Sequence, residues 1–297
     1  MIIENQQQLT AAVLDVMGRT PDPRLREIMT ALAQHLHDFV REVHLTEAEF
    51  QAAVGFLVAL GQQTTDSHNE AVLMAGSLGV SALVCLLNNG NHGTTETAAN
   101  LLGPFWRLNA PHSESGGSIV RSPTPGPPLF VHATVSDQQG RPIVAAEVDV
   151  WHASPVGLYE NQDPDQAEMN LRGKFTTDAE GAFAFRTVKP AGYPVPTGGV
   201  VGQLLAAQQR HPYRPAHLHA LIFKPGFKTL VSQIYVNDDP VLDNDAQFGV
   251  TRKLIGNYVR HEPGTAPAAD IAGEYYSLDY HFVLEPGEAT LPRPPIR

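Results

Sequence analysis

The hydrophobic period of this chain changes near residue 100, and that change points to a two-part α+β architecture. Before it, apolar residues recur at helical spacing. After it, proline and glycine become frequent, and β-branched and aromatic residues gather in short runs. In the first part Asp22 is a candidate N-cap with Pro23 at the first helical position. Leu25, Ile28, Met29, Leu32, Leu36, Phe39, Val40 and Val43 then form one apolar stripe. Thr46 with Glu49 three residues on is a capping-box pattern, and Phe50, Val54, Leu57 and Leu60 follow at helical spacing. A third helix is predicted from about Asn69 to Leu87; it is apolar nearly all round, so burial is expected, and the run "NNGNHG" at 88–93 ends it. Residues 4–18 read as a weaker helix with Leu9, Val13, Leu14 and Met17.

In the second part, strands are predicted at Phe130–Val135, Ile143–His152, Lys174–Thr177, Ala182–Val188, His217–Phe223, Thr229–Val236 and Ser277–Glu285. Turn residues separate several of them, as in Gln139-Gly140, Asp178 to Gly181 and Lys224-Pro225-Gly226. Short strands with such turns suggest an all-β sandwich or barrel. The expected organisation is a helical N-terminal domain, residues 1–100, followed by the sandwich, residues 101–297. The apolar stripe of the helical part is a natural surface for a homodimer.

The net charge of -11 leaves no basic face for nucleic acid. Cys85 is the single cysteine, so a disulfide framework within the chain is excluded and a thiolate metal site is not expected. The start "MIIENQQQLT" lacks the pattern of a signal peptide. The longest apolar run, Ala71 to Leu87, is broken by Gly76, Ser77, Gly79 and Ser81, so no membrane span is expected and a cytoplasmic location is the simplest reading.

Tyr159, Tyr193, His217 and His219 form the most informative set. Two phenolates and two imidazoles make a hard, anionic donor set suited to ferric iron. His217 and His219 lie two apart on a predicted strand, so both point to one face. The plain alternative is a strand with histidines on its wet side, but Ala216, Leu218, Ala220 and Leu221 make the strand read as buried, where polar rings need partners. Tyr159 and Tyr193 alone read equally as satisfied core or surface residues; Tyr193 sits in a stiff loop from Pro190 to Pro196, which either holds the side chain rigidly or is just a rigid turn. Arg214, three residues before His217, is either a surface charge or a group that stabilises negative charge. His132, His152 and His281 read as structural, and "NDDPVLDND" at 237–245 as a solvated loop without the spacing of a calcium loop. A zinc hydrolase lacks an evident third ligand.

Together these segments resemble the intradiol ring-cleavage dioxygenases of the catechol and hydroxyquinol 1,2-dioxygenase branch. The resemblance rests on "DPRLREIMTALAQHLHDFV", "GSLGVSALVCLLNN", "LLGPFW", "VDVWHASPVGLYE", "GYPVP", "RPAHLHALIFKPGF" and "DAQFGV", in that order along nearly the whole chain. It implies an antiparallel β-sandwich carrying Fe(III), with Tyr159, Tyr193, His217, His219 and a hydroxide as ligands, and Arg214 and Gln233 against the substrate. It also implies a helical dimer interface, which in some family members holds a phospholipid. The substrate would be a small aromatic diol bound as a dianion through both ring oxygens, with Tyr193 the displaceable ligand. Dioxygen would attack the ring and open it to a cis,cis-muconate or maleylacetate-type product.

"LLGPFW", "YPVPTGGVVGQLL" and "DAQFGV" look most like the hydroxyquinol branch. Two positions depart from it: Cys85 stands where that branch carries an aspartate facing the substrate, and Gln233 where it often has histidine. Catechol or a substituted catechol is therefore the alternative substrate, and a non-catalytic sandwich binding module the alternative of another class. The expected pocket walls are Val80, Val84, Cys85, Pro104, Phe105, Trp106, Val195 and Pro196.

Overall fold

A computed structural model describes residues 2–65, 68–88 and 96–295. The chain divides into two compact units, residues 1–59 and 60–297.

The first unit is helical. α1 (Gln6–Met17) starts at Asn5, whose side chain accepts from the Gln8 amide, and α2 (Pro23–Glu42) starts at Asp22, which accepts from the Leu25 amide. α3 (Glu47–Gln63) opens with the reciprocal box expected from Thr46 and Glu49: the Glu49 amide donates to Thr46 Oγ1 at 3.3 Å, and the Thr46 amide to Glu49 Oε2 at 2.9 Å. Thr10 ties α1 to α2, meeting His37 Nδ1 at 2.9 Å and accepting from Arg41 at 2.8 Å. The stripe on α2 stays open in the single chain: Leu32, Leu36, Phe39 and Val43 are each about half exposed, and the helix buries no residue.

In the second unit the predicted third helix is two helices, α4 (Glu70–Ser77) and α5 (Val80–Asn88), bent by 74°. The break falls at Gly79, whose φ of +72° lies in the left-handed region that glycine adopts without a Cβ penalty. The expected burial also fails, since Val72, Val80, Leu83, Val84 and Leu87 are exposed in the single chain. Most of the run at 88–93 lies outside the described residues. Among the described residues no single helix is long and apolar enough to cross a membrane.

The rest is a β-sandwich. One sheet orders β10 (Val259–His261), β11 (Tyr275–Leu284), β1 (Pro128–Asp137) and β4 (Ala182–Val188). The other orders β3 (Arg172–Thr176), β2 (Glu147–Trp151), β7 (His217–Phe223), β8 (Leu230–Val236) and β9 (Ile255–Gly256). β5 (Tyr193–Pro194) and β6 (Tyr213–Arg214) pair as a short ribbon, and α6 (Val200–Ala207) lies between them in sequence. The sheets are not wholly antiparallel as expected: β1 pairs with β11, and β8 with β9, in parallel. Neither pair is joined by a hairpin, so no turn forces them antiparallel.

Alternation along the strands positions the site. Leu218, Ala220 and Ile222 of β7 enter the core between the sheets, with Val148 and Val150 of β2, Ile234 and Val236 of β8, and Leu129, Val131 and Phe282 from the facing sheet. With a side-chain period of two, His217, His219 and Leu221 must face the other way. There Leu221 joins a second cluster with Phe105, Trp106, Trp151, Tyr159 and Tyr193. Every residue of β7 from His217 to Ile222 is buried, so both faces of this strand are covered.

Candidate active site

The outer face of β7 brings the four expected donors together. His217 Nε2 and His219 Nε2 stand 3.1 Å apart, and the Tyr159 and Tyr193 hydroxyls 3.4 Å apart. Ring centroids join the pairs, at 5.6 Å for Tyr193 with His217 and 6.4 Å for Tyr159 with His219. All four side chains are buried.

Each donor is held by its surroundings. His217 Nδ1 meets the Pro215 carbonyl at 2.7 Å; a carbonyl only accepts, so Nδ1 carries the proton and Nε2 keeps a free lone pair. Trp151, opposite His219 in the β2–β7 register, stacks on the His219 ring at 4.6 Å with planes 8° apart. Phe105 stacks on Tyr159 at 4.3 Å. Tyr193 is carried by the ribbon, where it pairs with Arg214. Gly157, at φ +81°, passes so close to Tyr193 that a Cβ there would lie 3.0 Å from the Tyr193 Cβ. The glycine of "SPVGLY" is what lets the Tyr159 loop approach the Tyr193 loop.

The electrostatics favour neutral rings with lone pairs available. Burial, reinforced by Arg214, pushes His217 down to about 3. Burial, His217 and Arg214 push His219 well below the usual histidine value. Burial and the adjacent Tyr193 raise Tyr159 well above the usual phenol range. Unaided, Tyr159 keeps its proton, and only a strong local cation makes a phenolate there. His219 Nδ1 is buried without a hydrogen-bond partner. Two imidazole nitrogens facing each other beside two phenol oxygens fit a hard cation of high charge. Among the described residues no group of three or more His, Cys, Asp or Glu is placed to hold a metal ion.

Arg214 is a buried cation on the cavity side of the site. Nη1 lies 3.4 Å from His217 Nε2, and Nη2 donates to Gln233 Oε1 at 3.0 Å and Tyr235 Oη at 2.9 Å. Nε and Nη2 also reach the two Asp245 oxygens at 3.1 and 3.0 Å. Burial opposes the Arg214 charge, but Asp245, Tyr235 and Tyr193 together hold the guanidinium pKa well above its usual value. Burial likewise opposes the Asp245 charge, but Arg214 and the Gln247 and Gly249 amides together keep the carboxyl below its usual range. Asp245 also accepts from the Gln247 and Gly249 amides. Asp245 is therefore a buried counter-ion, not part of a solvated loop as its acidic neighbours suggested. Gln233 is fully committed, accepting from Arg214 and Tyr235 and donating to the Leu101 carbonyl at 2.7 Å.

A cavity of ≈ 710 Å³ opens onto Tyr193 and Arg214. Val80, Val84, Cys85, Pro104, Phe105, Val195 and Pro196 line it. Trp106 does not; it is buried, and its indole donates to Asp149 Oδ2 at 3.3 Å. An indole N–H needs a partner when buried, and Asp149 supplies it away from the cavity. Tyr159, Gln233, His217 and His219 do not line the cavity either. His152 is a structural histidine, bonded to the Ala153 carbonyl and to Thr187 Oγ1, each at 2.7 Å.

Fold and cluster define a β-sandwich protein with a mixed phenol–imidazole site beside an apolar cavity. Comparison with known proteins goes further. A family model described as "Dioxygenase" matches residues 101–286, and one described as "Catechol dioxygenase N terminus" matches residues 22–95. The chain is 40% identical to the 6-chlorohydroxyquinol 1,2-dioxygenase of Cupriavidus pinatubonensis, covering 95% of this chain and 98% of that protein. It is 36% identical to the catechol 1,2-dioxygenase of Candida albicans, covering 94% and 92%. The crystal structure of hydroxyquinol 1,2-dioxygenase from Pseudomonas putida DLL-E4 superposes with a TM-score of 0.86 at 40% identity, over 95% of this chain and 99% of that one. The chain belongs to the intradiol ring-cleavage dioxygenase family, a class of enzymes dependent on non-haem ferric iron that act on aromatic diols with dioxygen.

Proposed function

We propose that Tyr159, Tyr193, His217 and His219 hold a ferric ion, and that the protein opens hydroxyquinol between its two adjacent hydroxylated carbons, giving a maleylacetate-type product. The observation that carries this is the buried cluster in which two imidazole Nε2 atoms and two phenol oxygens meet in facing pairs. When bound, ferric iron supplies Lewis acidity and draws electron density from the diolate ring.

The chain's own groups do the rest. Tyr193 lines the cavity and Tyr159 does not, so Tyr193 is the phenol that meets substrate, and its Oη takes up a proton from a substrate hydroxyl. Arg214 lines the same wall, and its guanidinium stabilises negative charge developing on the ring. Asp245, Gln233 and Tyr235 fix Arg214 from three sides, so little reorganisation is needed during reaction. Phe105, Pro104 and Val195 keep water away from the reacting ring.

Hydroxyquinol is favoured because the chain is 38–40% identical to relatives named for hydroxyquinols over nearly its full length. Catechol is the second reading, favoured by Cys85: it lines the cavity, and burial raises its thiol pKa, so it offers no anion to a third ring hydroxyl. Oxygen uptake by the iron-loaded protein, with hydroxyquinol and catechol side by side, decides between them. Faster uptake on hydroxyquinol is expected; equal or faster uptake on catechol overturns the choice of substrate. Cys85→Asp is expected to raise the hydroxyquinol-to-catechol ratio of kcat/KM by about 10- to 100-fold, the worth of one hydrogen bond to a charged group. An unchanged ratio removes residue 85 from substrate recognition.

The open apolar stripe on α2 is the proposed homodimer surface, because exposed contiguous apolar area marks an interaction site. A monomer at micromolar concentration in sedimentation contradicts this.

A further inference from the structure

Arg172, at the start of β3, is almost wholly buried and has no part in the chemistry described above. Its Nε donates to Glu160 Oε2 at 2.7 Å and its Nη1 to the Phe105 carbonyl at 2.6 Å. Both acceptors belong to the surroundings of Tyr159: Glu160 follows it in the chain, and the Phe105 ring stacks on it. The guanidinium carbon lies 5.9 Å from the Tyr159 ring centroid. Nη2 is buried with no hydrogen-bond partner. Arg172 also pairs with Trp151 in the β2–β3 register, and Trp151 stacks on His219.

Burying a guanidinium is costly unless its charge is used. One carboxylate compensates it here, and that carboxylate is shared, since Arg107 Nη1 lies 3.1 Å from Glu160 Oε1. Arg107 also pairs with Glu168, and the charged group lying over the Tyr159 ring is the Arg172 guanidinium. A fixed cation this close to an aromatic ring acts on its electrons, and it acts more strongly in a medium of low polarity.

We infer that Arg172 is a positioning residue for Tyr159, fixing its ring through the Phe105 carbonyl and Glu160 and lowering its electron-donating strength as a metal ligand. This rests on the reading of Tyr159 as a ligand of ferric iron. A cation beside a phenolate stabilises the donor electrons, so it moves charge transfer from phenolate to iron toward shorter wavelength. No such effect reaches Tyr193 to the same degree, because the contacts run to Tyr159, its stacking partner and its chain neighbour.

The test is the visible spectrum of iron-loaded variants. Arg172→Met is expected to move the band to longer wavelength, and Arg172→Lys, which keeps the charge, to return it toward the wild-type position. Glu160→Gln leaves Arg172 a hydrogen-bond acceptor but removes its compensating charge, and is expected to move the band to shorter wavelength. It also serves where Arg172→Met does not fold. In a Tyr159→Phe background the remaining band belongs to Tyr193, and Arg172→Met is expected to leave it in place. A folded Arg172→Met with an unmoved band overturns the inference, as does a Glu160→Gln band that stays or moves to longer wavelength. An equal shift in the Tyr159→Phe background also overturns it. A Tyr159→Phe protein whose iron content and band match wild type overturns instead the ligand reading beneath it.

Discussion

Arg214→Ala is expected to lower kcat by about 100- to 1000-fold, the range found when a preorganised group that stabilises developing charge is removed. The same change is expected to cost about 3–5 kcal/mol of stability, because it strands a buried carboxylate. Both effects follow from one side chain with two jobs: it faces the cavity, and it holds Asp245 by two hydrogen bonds. The double variant Arg214→Ala/Asp245→Ala separates them. It removes the stranded charge, so stability in urea unfolding should partly recover while turnover does not. Turnover that recovers with stability assigns Arg214 a purely structural role.

The pH dependence of stability carries the same signature. In the wild type Asp245 is held below its usual range, so its contribution is present above ordinary carboxylate pKa values and is lost as pH falls through the lowered one. In Arg214→Ala the guanidinium is gone and burial is opposed only by the Gln247 and Gly249 amides, so the carboxyl pKa rises from its wild-type position. The loss of stability on acidification is then expected to be smaller than in the wild type, and an acid limb unchanged from wild type contradicts this.

His219→Ala is expected to weaken iron binding by more than about 100-fold, the upper end of what losing only an outer partner of a metal ligand costs. The rotamer of His219 is set by the Trp151 ring stacked on it and by Gly103, where an added Cβ would sit 3.3 Å from His219 Cε1. Alanine removes the donor and leaves a space between these two groups that a water cannot fill with the same rigidity. Iron content after dialysis against a mild chelator checks this. A variant that keeps its iron and its colour removes His219 from the proposed ligand set.

Much of this was legible in the chain, for physical reasons. β7 falls on the predicted residues His217–Phe223, because a fully apolar run around His-x-His leaves no other period. α2 and α3 start where Asp22 and the Thr46–Glu49 box put them. Other features need the tertiary fold. α6 was missed, since its eight residues lie in a glycine- and proline-rich stretch and its start is capped from elsewhere: the Val200 and Val201 amides donate to Gln63 and Glu70. The parallel pairing of β1 with β11 joins residues 147 positions apart, which no local pattern encodes.

The site divides the same way. The two histidines and two tyrosines stand out by type and motif, as does Arg214 by its place beside them. Asp245 sits in an acidic run that reads as solvent-facing, and only its burial and its bond to Arg214 reveal it. Its one local sign was the "DAQFGV" motif, in which the Gln247 and Gly249 amides fold back onto its carboxylate. Arg172, Trp151 and Tyr235 carry no signal in a single sequence, because their roles depend on strand register.

The visible spectrum of the protein loaded with stoichiometric ferric iron tests the central claim most directly. A broad band from phenolate-to-iron charge transfer is predicted, weakened in Tyr159→Phe and in Tyr193→Phe and absent when both are changed. Tightly bound iron without that band, or a band that survives loss of both tyrosines, would contradict the account.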